Sequence, residues 1–320
     1  MTGRPTVLVL RALGLGDFLT GLPAIRLLRS ALPDHRRVLA APEALRPLVE
    51  LAPDVDALFA VGELEPLTEF TGRVHVGIDL HGKGPASRRL VEQLHPVRVV
   101  GFAHRPSGRP GPIWRADEHE VDRWCRLVGE AFAPVDDAPS VRGTLAVPDR
   151  PVSKGVTIVH PGAAAAARRW PASRFADVAC ALNAAGHDVV VTGGAREHDL
   201  AHAVAGTVGR PLVDLDLASL AALVAQARLV LCGDTGVAHL ASTFGVPSVV
   251  LFGPVSPASW GPPADGPHRV IWHGDGQGNP HGISPDAALL AISVAEVLDA
   301  VTELDVVPVR TAVSISGVSR

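Results

Sequence analysis

Short apolar runs rich in Val, Ile and Leu recur along the chain, separated by longer stretches with apolar positions at helical spacing. In the first half this pattern predicts strands over 7–11, 37–41, 56–61, 74–80 and 97–102. Helices are predicted over 24–31, opened by Pro23 in a first turn, and over 43–51, 85–94 and 118–131. Within 118–131 the apolar set is Val121, Trp124, Cys125, Leu127, Val128 and Ala131. A segment rich in proline and aspartate, 136–152, breaks the alternation and reads as a linker. Beyond it, strands are predicted over 156–159, 188–192, 212–215, 229–232, 248–252 and 269–272. Helices fall over 173–185, 197–204, 218–227, 236–244 and 294–304. Strands this short and this uniformly apolar suit parallel sheets covered on both faces. The expectation is an α/β chain of two doubly wound parallel-sheet domains, 1–135 and 153–305, with a low-signal tail over 306–320.

Composition narrows the class. The chain has 320 residues, 47% hydrophobic and 19% charged, enough to bury a sizeable core. A net charge of −4 without a long basic run argues against a nucleic-acid partner. No apolar stretch approaches the roughly 18 residues of a membrane helix. The start, MTGRPTVLVL, lacks a signal-peptide pattern, so a cytoplasmic location is expected. Cys125, Cys180 and Cys232 read as buried thiols, and the histidine spacing suggests no metal site.

The first turn, "RALGLGDF", carries the sharpest question. Gly14 and Gly16 fit a dinucleotide fingerprint, but its third glycine is replaced by Leu19. No Gly-Lys-Ser/Thr follows, which excludes a P-loop. Asp17 remains, either as a helix N-cap or as a general base facing a cleft. One carboxylate can do both.

Four later turns follow predicted strands and belong to one sheet edge. The first holds His160, Gly162 and the pair Arg168 and Arg169, whose guanidinium forks match phosphate oxygens. In the second, Gly193 and Gly194 allow close backbone approach, with Glu197 one turn on. Asp234, Thr235 and Gly236 open a helix whose free N–H groups form an anion site, and His239 lies one turn further. The fourth, with Gly253-Pro254 and Trp260-Gly261-Pro262, reads as rigid turns closing the pocket. Two Asp-x-Asp triplets, at Asp54/Asp56 and Asp214/Asp216, read as caps and turns.

Taken together, "LRALGLGDFLTGLPAIRLLR", "HPGA" with "RRWPASRFADVACAL", "VVVTGG", and "CGDTGVAHLAS" followed by "FGVPSVVLFGP" resemble glycosyltransferase family 9, the heptosyltransferase-like enzymes. The resemblance implies a GT-B architecture, two Rossmann-like domains facing a central cleft, donor on the C-terminal one and acceptor on the N-terminal one. It implies inverting, metal-independent transfer of a heptose or related sugar from an ADP-linked donor to a cell-envelope glycan or glycolipid, with no cofactor. Asp17 then matches the catalytic aspartate. His160, Gly162, Arg168, Arg169, Gly193, Gly194, Glu197, Asp234, Thr235, Gly236 and His239 fall on the donor side. Arg11, Gly16, His81 and Lys83 fall on the acceptor side. A lipid-linked acceptor would call for peripheral contact with the inner membrane face, for which 86–94 with Arg88 and Arg89 is the candidate. The alternatives are a nucleotide-sugar epimerase of the same architecture, a non-catalytic nucleotide-sugar binding protein, and an NAD-dependent oxidoreductase, which Leu19 disfavours.

Overall fold

The structure is a computed structural model and describes residues 4–132, 139–206 and 209–304. Its strands are β1 (Thr6–Leu10), β2 (Arg36–Ala41), β3 (Ala57–Ala60), β4 (Val74–Asp79), β5 (Arg98–Val100), β6 (Thr157–His160), β7 (Val189–Gly193), β8 (Arg210–Val213), β9 (Leu229–Gly233), β10 (Ser248–Leu251) and β11 (His268–Ile271). The α-helices are α1 (Leu15–Ala31), α2 (Arg46–Val49), α3 (Ala86–Glu92), α4 (Glu120–Phe132), α5 (Ala172–Ala184), α6 (His198–Ala205), α7 (Leu217–Ala225), α8 (Gly236–Phe244), α9 (Pro257–Trp260), α10 (Ala287–Ala291) and α11 (Val294–Glu303).

The strands form two parallel sheets, ordered β3-β2-β1-β4-β5 and β11-β10-β9-β6-β7-β8. In each, the winding direction reverses beside the first strand of the sheet, between β1 and β4 and between β6 and β9. At such a reversal the loops leave in opposite directions, and a crevice opens at the carboxyl ends of the strands. Register sets the two edges: Leu10 pairs with Asp79 in the first sheet, and His160 with Cys232 in the second. Arg11 and His81 therefore leave one edge, and the 161–169 loop and Asp234 leave the other.

The halves meet along α1, which packs on α4 of its own half and on α8 of the other. One continuous apolar cluster runs through this seam, from Val7, Leu19, Leu22 and Trp124 to Val237, Leu240 and Ala241. Of the expected linker, 136–138 lie outside the described residues. The rest is tied to both halves: Ala146 N–H donates to Leu51 O at 2.8 Å, and Gly143 N–H to Thr243 O at 3.0 Å. The tail 306–320 also lies outside the described residues.

Three local expectations need correction. The first helix begins at Leu15, not after Pro23, so Pro23 is an interior residue. A first-turn proline is only one way to satisfy the ring; here buried neighbours on α1 hold the helix through it. Cys180 is exposed, because it lies on the solvent face of α5, while Cys125 and Cys232 are buried. Arg88 is buried and donates through Nη1 to Phe102 O at 3.0 Å and Pro110 O at 2.8 Å, so it presents no charge to a membrane.

Candidate functional site

Asp17 occupies the third position of α1. The N-cap is Gly14, with no side-chain cap bond, which corrects the capping alternative. The Asp17 side chain is 30% exposed and stands 3.6 Å from Arg11 Nη2. Burial raises its pKa; Arg11 opposes this, Glu120 adds to it, and the N–H groups of Asp17 and Gly14 oppose it. A carboxylate held up in this way is a stronger base than a solvated one.

Arg11 was expected to touch the acceptor. Instead it is 1% exposed, and its donors are engaged inside the protein. Nε donates to the Asp17 carbonyl and Nη1 to the Leu80 carbonyl. Nη2 donates to Thr20 Oγ1 and to Glu120 Oε1, each at 3.1 Å. The guanidinium lies 4.8 Å from the Trp124 ring centre. Arg11 therefore acts on Asp17 from behind. His81 is half-buried, its pKa lowered by burial and then by Arg11, while Lys83 is exposed on the same loop.

Across the seam, a cavity of about 280 Å³ gathers residues from three of the expected turns: His160, Gly193, Gly194, Glu197, Thr235 and Gly236. Leu15 of α1 closes it from the first half. Gly162 makes room for Glu197: a β-carbon there would stand 2.3 Å from either carboxylate oxygen. Glu197 accepts from Gly194 N–H at 3.0 Å and approaches Arg169 Nη2 at 3.9 Å. Arg169 itself is turned back, donating from Nε and Nη2 to Ala163 O at 2.9 and 2.8 Å. His160 bonds Thr192 Oγ1 through Nδ1 at 3.0 Å, and burial lowers its pKa. Sequence reasoning missed the apolar wall of this cavity, Leu212, Leu215, Leu217 and Leu220. The signal was present in "PLVDLDLASL", whose leucines continue past the end of β8 into the loop.

Beside the cavity, Arg168 Nη1 lies 3.9 Å from Asp234 Oδ2, and Arg168 Nε is buried without a hydrogen-bond partner among the described residues. Asp234 is 7% exposed. Its pKa is pushed up to about 6, first by burial, with Arg168 opposing and Asp17 adding. The start of α1 and the start of α8 lie together at the seam: a β-carbon on Gly16, next to Asp17, would stand 3.9 Å from Gly236 Cα, two residues past Asp234. The N-terminus of α8 starts here with Thr235 as N-cap and no side-chain cap bond, leaving its amides free for an anion.

His239 was expected on the donor side, but it does not line that cavity. It packs 5.9 Å from the Trp260 ring centre and lines a separate cavity of about 480 Å³ together with Thr20, His119 and Pro262. One helical turn separates it from the free amides, and the α-helical rotation carries its ring toward α4. Gly261, expected in a closing turn, accepts from His119 Nε2 through its carbonyl at 3.1 Å, which ties the 257–262 segment to the residue preceding α4.

The Asp-x-Asp triplets have other partners. Asp54 pairs with Arg26 and Arg29 at 3.1 and 3.0 Å, and Asp56 with Arg37 at 3.0 Å. Asp216 caps α7 through Ser219 N–H at 2.6 Å. His198 and His202 stand four residues apart on α6, a spacing the histidine reading passed over. His198 bonds Asp214 at 2.7 Å, and among the described residues no group of three or more His, Cys, Asp or Glu side chains is gathered as a metal site requires.

Residues 115–277 match the family model described as glycosyltransferase family 9 (heptosyltransferase). The chain is similar to lipopolysaccharide heptosyltransferase 2 of Salmonella typhimurium, 24% identical, with 83% of this chain and 87% of that protein covered. Among solved structures it is similar to the glycosyltransferase family 9 protein of Veillonella parvula, with 21% identity, 95% and 98% of the two chains covered and a TM-score of 0.76. The E. coli ADP-heptose LPS heptosyltransferase II aligns at 22% identity over 93% and 98% of the chains, TM-score 0.74. An E. coli heptosyltransferase solved with ADP aligns at 19% identity over 93% and 99%, TM-score 0.74. These likenesses show that the two parallel-sheet units form a GT-B fold.

Proposed function

Because the chain belongs to glycosyltransferase family 9, the heptosyltransferases, and is a glycosyltransferase, we propose that it carries a heptose or related sugar from an ADP-linked donor to a hydroxyl of a cell-envelope glycan or glycolipid. The transfer inverts the anomeric centre and uses no metal. The observation that carries this reading is the close approach of the α1 start, with Asp17 beside Gly16, to the α8 start at Gly236, next to the Arg168–Asp234 pair and the cavity lined by His160, Glu197 and Thr235. The relative solved with ADP and the relatives named for lipopolysaccharide support the donor and the acceptor class.

In this mechanism the acceptor hydroxyl gives its proton to Asp17 as its oxygen attacks the anomeric carbon. The bond from that carbon to the diphosphate breaks on the opposite face, through an oxocarbenium-like state. The leaving diphosphate keeps the electron pair, and its new charge is met by Arg168 and the free amides of α8. The leucine wall takes the base, and Glu197 accepts from a ribose hydroxyl. The enzyme works on the cytoplasmic side, and among the described residues no helix is long and apolar enough to cross a membrane.

A donor screen tests the reading. ADP is expected to raise the melting temperature more than GDP or UDP, and ADP-heptose to be consumed with release of ADP. Stabilisation by GDP or UDP alone would overturn the ADP assignment. Activity lost to a chelator and restored by magnesium or manganese would overturn metal independence.

A further inference from the structure

Glu120 is a charged residue on the buried stripe of α4. It lies four residues before Trp124 and is 5% exposed. Burying a carboxylate is costly unless its oxygens are paired, and these are: Oε1 accepts from Trp124 Nε1 at 2.7 Å and from Arg11 Nη2 at 3.1 Å, and Oε2 from Arg123 Nη1. The Trp124 and Arg123 bonds fix the carboxylate in place. It is not placed to hold a substrate, because it is buried and both of its oxygens are engaged by Trp124, Arg11 and Arg123. What it does touch is the nitrogen that also faces the Asp17 carboxylate, since Arg11 Nη2 stands 3.6 Å from Asp17 Oδ1. One guanidinium is therefore divided between two carboxylates.

We propose that Glu120 is a positioning residue for the general base, which shares the Arg11 guanidinium with Asp17 and so keeps the Asp17 carboxylate basic enough to take the acceptor proton. The inference rests on Asp17 being the base. A lone Arg11–Asp17 pair would neutralise the carboxylate and leave it a poor proton acceptor. With Glu120 present, Arg11 Nη2 is shared between Glu120 Oε1 and Asp17 Oδ1, while Arg123 meets the other Glu120 oxygen. The charged groups facing Asp17 are Arg11 from the end of β1, Glu120 from α4 and Asp234 from the β9–α8 turn. His81 and His239 face Arg11 from the other elements packed there, and burial keeps both toward the neutral form. Arg11 opposes the rise in Asp17 and Glu120 reinforces it, as this arrangement requires.

The test reads Asp17 directly, by carbon NMR titration of the full chain labelled at aspartate carboxyls, with Asp17→Asn identifying the resonance. Glu120→Gln is expected to lower the Asp17 midpoint by about one pH unit, with a matching shift of the acid limb for ADP release from ADP-heptose. Glu120→Asp, which keeps the charge and the fold but draws the carboxylate back from Arg11, is expected to lower it by less. Replacing both partners, Arg11→Gln with Glu120→Gln, is expected to raise it above the wild-type value. A purely structural role would move none of these in opposite directions. An unmoved midpoint in Glu120→Gln or in Glu120→Asp overturns the assignment, as does a shift of the same sign in the double variant. Wild-type turnover in Asp17→Asn overturns the base reading and this inference with it. Lost turnover there together with an unmoved midpoint in the Glu120 variants overturns the role of Glu120 alone.

Discussion

Gly16 of α1 lies against the imidazole of His239 of α8: a β-carbon on Gly16 would stand 2.9 Å from His239 Cδ2 and 3.3 Å from Nε2. The contact joins the two halves of the molecule at the residue next to Asp17. Gly236 answers it from the other side, since a β-carbon there would meet the Leu15 side chain at 2.7 Å. Glycine at both positions lets the two helix starts approach, which brings the base of one half to the anion site of the other.

Gly16→Ala is therefore expected to open the seam. The His239 ring stands between Gly16 and Trp260, so the added methyl presses directly on it. Forcing a methyl into such a contact costs about 1–3 kcal/mol. Urea unfolding should show that loss, and turnover should fall with it because Asp17 retreats from Asp234. Unchanged stability and turnover would mean that the seam is looser than the contact implies.

Asp17→Asn preserves shape and removes the base. A general base contributes roughly a hundred- to ten-thousandfold in rate, so kcat should fall by that order. The Asp17 side chain does not line the cavity that holds His160, Glu197 and Thr235. ADP affinity, measured by calorimetry, is expected to stay within about twofold of wild type.

The architecture was legible because buried parallel strands leave a plain mark, short apolar runs between helical stripes, and most predicted elements fall within a residue or two of those observed. The turns were legible for the same reason: glycine, arginine and aspartate directly after such a run have few other uses. What escaped the sequence is direction. Arg11 and Asp17 are close in the chain, but only the packing of α4 shows that Arg11 faces inward, onto Glu120. His239 lies one turn beyond the anion site, and only the structure shows that its ring packs against Gly16 and Trp260 and lines the other cavity. Glu120 could have been noticed as a charge at helical spacing with Trp124, Leu127 and Val128, but an apolar stripe draws attention to the residues that fit it.

Gly162→Ala tests the donor cavity from its floor. The added methyl would occupy the place of the Glu197 carboxylate, displacing it from the Gly194 N–H. Affinity for ADP is expected to drop by about tenfold, equal to about 1.4 kcal/mol, with little change in thermal stability because Glu197 can move toward solvent. Full ADP affinity would separate Glu197 from nucleotide binding.

Stability against pH gives a test of the seam that needs no substrate. Burial, reinforced by His119 and Arg11 against the opposing Glu120, lowers the His239 pKa to about 4. The unfolded chain, with histidine near its ordinary value of about 6.5, binds that proton over the interval where the folded chain does not. The contribution of His239 is thus fully present above about pH 6.5 and is lost as the pH falls toward 4. Asp234 runs the other way: its pKa, raised to about 6, makes the folded chain the better proton binder, so its contribution to stability grows as the pH falls through 6. His239→Gln removes the first effect and leaves the second. Unfolding midpoints in urea at pH 7 and pH 4.5 should therefore show the variant losing less stability on acidification than the wild type, by on the order of 2 kcal/mol. Parallel profiles for the two proteins would mean that His239 is already solvated at the seam, and that the two halves meet less closely there than the Gly16 contact requires.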